Sequence, residues 1–563
     1  MNITTQLAPR TVFDAIARHA QSQATAVIHN GIEWTYAELL GRAYALARVL
    51  GPNPGPVGVV TSHSPNTIVA LLGVWAAGGT YCPIDPAFPQ VRQQEMVAAA
   101  ECTNLVLTES HQDSPTDIHA IAVPTEQSPP VEAVGSAGPA YILFTSGSTG
   151  TPKPVETSHV AIAATVASLR DLFDVSLGDR VLQFASLNWD TCFEEILPTL
   201  SAGAAVVFDD DAHTGSFPRL LRLLARHRVT VADLPTAYWH ELVRYLDDEG
   251  TTVPDCFRLM IIGGEAASPA RLRQWDALGN DRVRLLNTYG CTETTLITHA
   301  ADLGSFDTGP VPIGYPLPHV VQHIDDGELL IGGPALATGY VHNNAETDRK
   351  FVWRQGQRFF RTGDAVTISP SGALIHNGRI DAELKIRGIK VNPVEVEALI
   401  GAHRDVSAVA VVGTQHAGRT ALLAYLVPAD NTDSNALAAT VARDLRSRAP
   451  SHLVPARIIT VDALAHTPSG KVDRALTHRR HTSISHLGET MNVDEMIDTF
   501  RRVLETDDIG ADTDFFELGG DSLLATRVLS AIAKRSGIEL TFDDFVVSPT
   551  PSALVKQLGR AQS

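Results

Sequence analysis

Cysteine is scarce in this sequence and never clustered: Cys82, Cys102, Cys192, Cys256 and Cys291 are five in 563 residues, with no Cys-x-x-Cys pair. An odd, scattered set argues against a disulfide framework or a zinc site and fits a reduced, cytoplasmic setting. No apolar run reaches membrane-spanning length, and the start Met1-Asn-Ile-Thr-Thr-Gln6 has no basic segment followed by an apolar one, so neither membrane insertion nor secretion is expected. Positive charge is also short: 44 Lys and Arg stand against 63 Asp and Glu, a formal net charge of -19. Such a chain repels phosphate polymers and anionic lipid, so no nucleic-acid or membrane partner is expected. A local phosphate site stays open, because it needs only a few well-placed donors.

What is present begins with size. A chain of 563 residues with 44% hydrophobic and 19% charged residues is an ordinary globular composition, too long for one core, and three or four folding units are expected. Near residue 11 a helical pattern starts, a hairpin signal follows at Asn30-Gly31, and Thr35-Tyr-Ala-Glu38 has the spacing of a capping box. From 57 to about 286, short β-rich runs (57–60, 105–107, 141–144, 181–184, 204–208, 229–234, 259–263, 283–286) alternate with helical patterns. That alternation predicts mainly parallel sheets covered by helices, with ligands at the strand ends. After about Gly309 short strands with Gly turns predict a small β-rich part, and a compact α+β unit follows.

The chain is organised around Tyr141-Ile-Leu-Phe-Thr-Ser-Gly-Ser-Thr-Gly-Thr-Pro-Lys153, where an apolar strand runs into a loop of small residues ending in a lysine. Gly147 and Gly150 permit backbone angles that side chains forbid, Thr145, Ser146, Ser148 and Thr149 supply hydroxyl donors, and Lys153 adds a charge. Those are the requirements of a phosphate cradle. It is not the common P-loop, since no Ser or Thr follows the lysine. At the other end, the stretch 478–492 reads as a linker, and 493–563 is helical in pattern with thirteen acids against seven bases. A small acidic helical bundle suits transient docking on several partners.

With these motifs go Phe173-Asp-Val-Ser176, Asn287-Thr-Tyr-Gly-Cys-Thr-Glu-Thr294, Arg361-Thr-Gly-Asp364, Pro468-Ser-Gly-Lys-Val-Asp-Arg474 and Phe516-Glu-Leu-Gly-Gly-Asp-Ser-Leu523, in that order. Together they resemble the adenylation and peptidyl-carrier didomain of nonribosomal peptide synthetases, within the adenylate-forming superfamily. The resemblance implies an α/β multidomain fold. It has a large N-terminal adenylating subdomain (1–381) of parallel-type sheets with helices plus a small β-rich part, and a mobile α+β C-terminal subdomain (382–477). A linker (478–492) and an all-α four-helix carrier domain (493–563) complete it. It also implies ATP, Mg2+ and 4'-phosphopantetheine as cofactors. Thr145, Ser146, Gly147, Ser148, Thr149, Gly150 and Lys153 would hold the β and γ phosphates; Tyr289 would stack on adenine, Thr292 touch the α-phosphate and Glu293 hold magnesium. Asp364 and Arg379 would bind the ribose, and Lys471 would be the principal catalytic group, bridging the substrate carboxylate and ATP. A swivel hinged near Asp381 would bring Gly388 and its neighbours in place of Lys471, and Ser522 would carry the phosphopantetheine. Pro154, Cys291 and Glu383 depart from the usual pattern without removing a catalytic group.

The resemblance also locates a side-chain pocket: Asp190, Thr191, Glu194, Asp233, Ile261, Gly263, Thr288, Leu296 and Ile297. Asp190 would pair with the substrate ammonium. Glu194 and Asp233 are two more carboxylates among small or aliphatic groups, and burying two anions without a counter-charge costs several kcal/mol. The expected substrate is therefore a basic diamino acid, lysine or β-lysine, with ornithine as a shorter alternative. The absence of condensation, epimerisation and thioesterase sections tilts the expectation to β-lysine. Expected partners are the amino acid, a phosphopantetheinyl transferase, a downstream condensation enzyme or synthetase, and a small MbtH-like protein, whose docking surface 264–268 resembles. The rival reading, an acyl-CoA synthetase, is disfavoured because Ser522 puts the thiol acceptor on the same chain.

Overall fold

The computed structural model describes residues 11–504 except 111, 113, 132–137, 146–151, 215, 305–309, 381–383, 387–388, 417–418, 430–433, 466–471, 473 and 483–492. Beyond 504 it describes 506, 509–516, 518, 525, 528–529, 531–532, 535, 545 and 549–561. Ser146, Gly147, Ser148, Thr149, Gly150, Asp381, Glu383, Gly388, Lys471 and Ser522 therefore lie outside the described residues. The chain forms two compact units, Met1–Thr460 and Val461–Ser563. That division falls inside the stretch 382–477, which was expected to be one subdomain.

The first unit is built on two large sheets. In the nine-stranded sheet the strands Val231–Pro235, Leu259–Gly263 and Arg284–Gly290 lie side by side and parallel. Their register aligns Asp233 with Ile261 and Leu286, and Pro235 with Gly263 and Thr288. Ile297–Asp302 pairs antiparallel with Arg284–Gly290 and closes that side. A seven-stranded sheet contains the parallel strands Pro56–Val60, Thr80–Ile84 and Asn104–Leu107, with the antiparallel hairpin Pro139–Thr145 and Lys153–Ser158. The expected alternation is thus present, with antiparallel pairs added where the chain turns back.

One core cluster joins the facing sides of both sheets through the helices Tyr36–Leu50, Pro65–Ala76, His159–Phe173 and Thr191–Ser201. The first of these starts at the anticipated capping box. Thr35 Oγ1 accepts from the Glu38 amide at 3.2 Å while the Glu38 carboxylate accepts from the Thr35 amide at 2.8 Å. Thr191–Ser201 is the helix that shapes the site. Every residue from Cys192 to Leu200 is buried, as expected of a helix enclosed in a core, yet it carries Glu194 and Glu195.

A five-stranded antiparallel sheet including Glu328–Gly332 and Gln357–Ile368 forms the small β-rich part, and a three-stranded sheet, Val406–His416, Arg419–Pro428 and Arg457–Thr460, packs with helices Pro393–Gly401 and Ser434–Arg448. In the second unit, Met496 and Phe500 of the helix Val493–Leu504 pack with Phe515, Phe545, Leu554 and Leu558. The rings of Phe500 and Phe545 lie 5.1 and 5.0 Å from that of Phe515.

Candidate active site

The carboxyl ends of the parallel strands open into a cavity of about 360 Å³. Eight of the nine anticipated pocket residues line it: Asp190, Thr191, Glu194, Asp233, Gly263, Thr288, Leu296 and Ile297. Ile261 does not. It shares the face of Asp233 and Gly263, but packs in the core cluster that also holds Val231, Leu259 and Leu286, and is 1% exposed. Position on the strand is the reason: two residues short of the strand end, a β-branched side chain is covered by its neighbours, whereas Gly263 and Thr288 sit at the rim. A Cβ at Gly263 would stand 2.6 Å from Thr288 Oγ1, so glycine there keeps the cavity floor open. Phe184, Ala185, Ser186 and Pro235 also line the cavity and were not anticipated; Trp189, next to Asp190, lines it as well.

The cavity wall is acidic. Glu194 is 8% and Asp233 5% exposed, and Asp233 Oδ2 has no hydrogen-bond partner among the described residues. Burial, with Asp233 and Asp190 nearby, pushes the Glu194 carboxyl well above the usual range. Asp233 is pushed up to about 7, chiefly by burial. Glu195 points elsewhere. Its carboxylate accepts from the amides of Phe184 and Ala185 at 2.9 and 3.0 Å and from Gln183 Nε2 at 3.1 Å, fixing the segment that lines one side of the cavity.

The nucleotide-type groups gather near the same strand ends. Tyr289, 5% exposed, donates its hydroxyl to Asp364 Oδ2 at 2.5 Å, and burial keeps the phenol protonated. Asp364, wholly buried, also faces Arg379 Nη1 and His376 Nε2, each 3.1 Å from Oδ1. The Gly378 amide donates to His376 Nδ1 at 3.2 Å, so His376 presents its Nε2–H to the carboxylate. His376 was not anticipated; its signal is two-residue alternation on the strand Leu374–Arg379, which puts it on the side of Arg379 only after a bulge in the pairing.

Thr145 and Lys153 are register partners at the two ends of the phosphate-type loop. Lys153 Nζ is 2.9 Å from Glu346 Oε1 and 5.8 Å from the Tyr340 ring centre. Tyr340 in turn donates to Glu293 Oε1 at 2.9 Å. Arg349 and Lys153 together pull Glu346 down to about 2. Thr292 lines the cavity beside Glu293, which is 4% exposed. Among the described residues no group of three His, Cys, Asp or Glu forms a metal cage. Magnesium fits the donor set nonetheless, because that ion is ordinarily held by one or two carboxylates together with substrate phosphates and water.

The α+β segment reaches the cavity too. Ile389 lines it, Arg92 Nη2 meets Glu395 Oε1 at 3.2 Å with both side chains buried, and the His452 ring lies between Trp189 and Phe88 at 5.7 and 6.2 Å. A neighbour of Gly388, rather than a distant loop, thus stands at the cavity.

Comparison with known proteins agrees with this arrangement. Residues 13–341 match the AMP-binding enzyme family, 395–471 the AMP-binding enzyme C-terminal domain and 494–558 the phosphopantetheine attachment site. An isonitrile lipopeptide synthase of Streptomyces coeruleorubidus is 37% identical over 98% of this chain, and a linear gramicidin synthase of Brevibacillus parabrevis 32% over 95%. The chain spans 40% and 7% of the length of those two relatives. Among solved structures, a nonribosomal peptide synthetase protein containing adenylation and PCP domains, bound to a vinylsulfonamide inhibitor, superposes with a TM-score of 0.74 over 98% of this chain and 96% of that one, at 24% identity. An artificially fused adenylation–PCP didomain from Klebsiella oxytoca gives 0.70 over 80% and 94%, at 23% identity. Matched along its length by an AMP-binding enzyme, its C-terminal domain and a phosphopantetheine attachment site, the chain belongs to the AMP-binding, adenylate-forming enzymes and carries a phosphopantetheine attachment domain on the same chain.

Proposed function

We propose that the chain activates a basic diamino acid, lysine or β-lysine, as its adenylate and passes the acyl group to a phosphopantetheine thiol on Ser522. The substrate carboxylate oxygen bonds to the α-phosphorus of ATP as the bond to the β-phosphate breaks and pyrophosphate leaves; the thiolate then bonds to the acyl carbon as AMP leaves. Asp364, with Arg379 and His376 beside it, takes the ribose hydroxyls, and Tyr289 offers its ring to adenine. The loop from Thr145 to Lys153 would hold the β and γ phosphates, Lys471 would bridge the substrate carboxylate and ATP, and Glu293 would hold Mg2+, which would supply charge neutralisation there. The segment 382–477 turns about Asp381 between the two steps, and Ile389 at the cavity suits the second. A phosphopantetheinyl transferase primes Ser522, and a condensation enzyme or synthetase takes the product; an MbtH-like protein docks near 264–268.

One observation carries the substrate assignment: Glu194 and Asp233 are buried in the cavity wall with no basic side chain beside either among the described residues. A buried acidic pair so placed awaits a cation from the ligand. Asp190, also in the wall, takes the amino group nearer the carboxylate. The test is ATP–pyrophosphate exchange with lysine, β-lysine, ornithine, arginine and norleucine. One of the first two is expected to dominate, ornithine falling behind by roughly 10–200-fold for a missing methylene. A preference of the Glu194→Gln, Asp233→Asn double variant for lysine over norleucine would overturn the assignment.

A further inference from the structure

Glu194 projects from the first turn of the buried helix Thr191–Ser201, and Asp233 from the strand Val231–Pro235, so the two carboxyls reach one cavity from different elements. Both are buried in the wall of that one cavity, and burial, then the neighbouring charge of Asp233, raises Glu194. Neighbouring carboxyls can hydrogen-bond to each other only if one of them keeps its proton, because two carboxylates are acceptors alone. The titratable groups that face the pair are Asp190 at the start of the helix, Glu195 and Cys192 on the helix itself; none is a base, and Asp190 and Glu195 oppose ionisation. Glu195 is occupied by the backbone of Phe184 and Ala185. Asp233 Oδ2, by contrast, is buried, borders the cavity and has no partner among the described residues. It is the atom placed to accept from an incoming ammonium.

Resting on the diamino-acid reading above, we propose that Glu194 and Asp233 work as one proton-sharing unit: with one proton it carries a single negative charge matched to the substrate's terminal ammonium, and a second proton makes it a neutral pair indifferent to charge. The pocket is then a switch in specificity. At neutral pH and above, one ammonium meets one net charge. In acid the same cavity treats the diamino acid and its uncharged analogue alike. Burial and proximity agree with this in sign, since they raise both carboxyls and hold Asp233 near 7.

The test uses the full chain and pyrophosphate exchange from pH 5.5 to 8.5. Its probes are the diamino acid that wins the panel and the analogue lacking the terminal ammonium, norleucine for lysine or 3-aminohexanoate for β-lysine. Taking the ratio of the two kcat/KM values cancels titrations in the nucleotide site. The ratio is expected to rise about tenfold per pH unit up to about 7 and then level, as one proton is lost. A shared proton also makes one carboxyl dispensable. Glu194→Gln alone and Asp233→Asn alone are each expected to keep the ratio within about tenfold of the parent, while the double variant loses more than about 100-fold. A ratio that favours the diamino acid but is flat in pH, or single variants that lose as much as the double, would overturn the shared proton and leave the substrate assignment standing. No exchange with any diamino acid at any pH would remove both.

Discussion

Gly290 is where a single methyl group should damage the cavity lining directly. It ends the strand Arg284–Gly290 and pairs with Ile297, and an ideal Cβ there would lie 1.9 Å from Leu296 O, 2.7 Å from Leu296 C and 3.0 Å from Ile297 Cα. An unstrained contact needs roughly 3.5 Å, so Gly290→Ala demands a backbone shift of about 1.6 Å. The shift cannot be absorbed by a side chain, because the obstacle is backbone. Between the two positions the chain turns tightly, with Thr295 and Leu296 at φ of 59° and 67°, and this turn carries Thr292, Glu293 and the cavity residues Leu296 and Ile297. A misplacement of about 1 Å at such groups costs on the order of 100-fold in rate, and overpacking of this kind about 1–3 kcal/mol in stability. Pyrophosphate exchange and thermal unfolding by circular dichroism are the assays, with Gly178→Ala as the control because a Cβ there meets nothing within 4 Å. Exchange within threefold of the parent at an unchanged melting temperature would refute the claim that this close approach sets the site.

Other expectations can be checked on the same preparation. Tyr289→Phe removes the hydroxyl that serves the wholly buried Asp364, a bond to a charged acceptor worth about 1.5–3 kcal/mol, and is expected to raise KM for ATP about tenfold or more while KM for the amino acid stays put. Arg92→Met breaks a buried ion pair with Glu395 between the catalytic core and the α+β segment; mass spectrometry of the loaded carrier is expected to show transfer slowed more than tenfold with exchange nearly unchanged, and equal losses in both would refute that role. Burial holds His299 and His319, 0% and 8% exposed, down to about 4 from 6.5, so both stay neutral in the folded chain while the unfolded chain takes up protons. Stability from these two is whole above pH 6.5 and falls as the pH drops towards 4, on the order of 3 kcal/mol each at full effect. Urea midpoints that do not fall between pH 6.5 and 5 would contradict this.

How much the sequence reveals depends on the range of the interactions. Thr35 and Glu38 are three residues apart and cap their helix as their spacing requires. The eight pocket positions were legible through the resemblance to a family whose motifs fall at these strand ends, where glycines and polar residues gather. Partners set by topology were not legible. Lys153 meets Glu346 across 193 positions, and His376 reaches Asp364 only because the strand Leu374–Arg379 folds back on Gln357–Ile368 with a bulge between. Ile261 shows the same limit from the other side. Its apolar character and placement one register step from Asp233 are equally compatible with a cavity wall and with core, and only the depth of the neighbouring side chains decides.

The acids on Thr191–Ser201 explain why the site was nevertheless visible. A helix enclosed on all faces needs only apolar residues for stability, so each carboxyl inside it works against folding unless something answers it. Glu195 is answered within the chain by two backbone amides and Gln183, and so acts as a strut for the segment that lines the cavity. Glu194 and Asp233 have no such cationic answer among the described residues, and each carboxyl is left in part to its neighbour. Adjacent positions in one helix thus divide two tasks by the same physics: a carboxyl satisfied within the chain holds the wall still, and one with no cation beside it leaves stability to be recovered when ligand arrives. The pocket's selectivity and its modest cost to the fold are therefore one quantity, which is why amide substitutions that weaken substrate choice should not weaken the folded state.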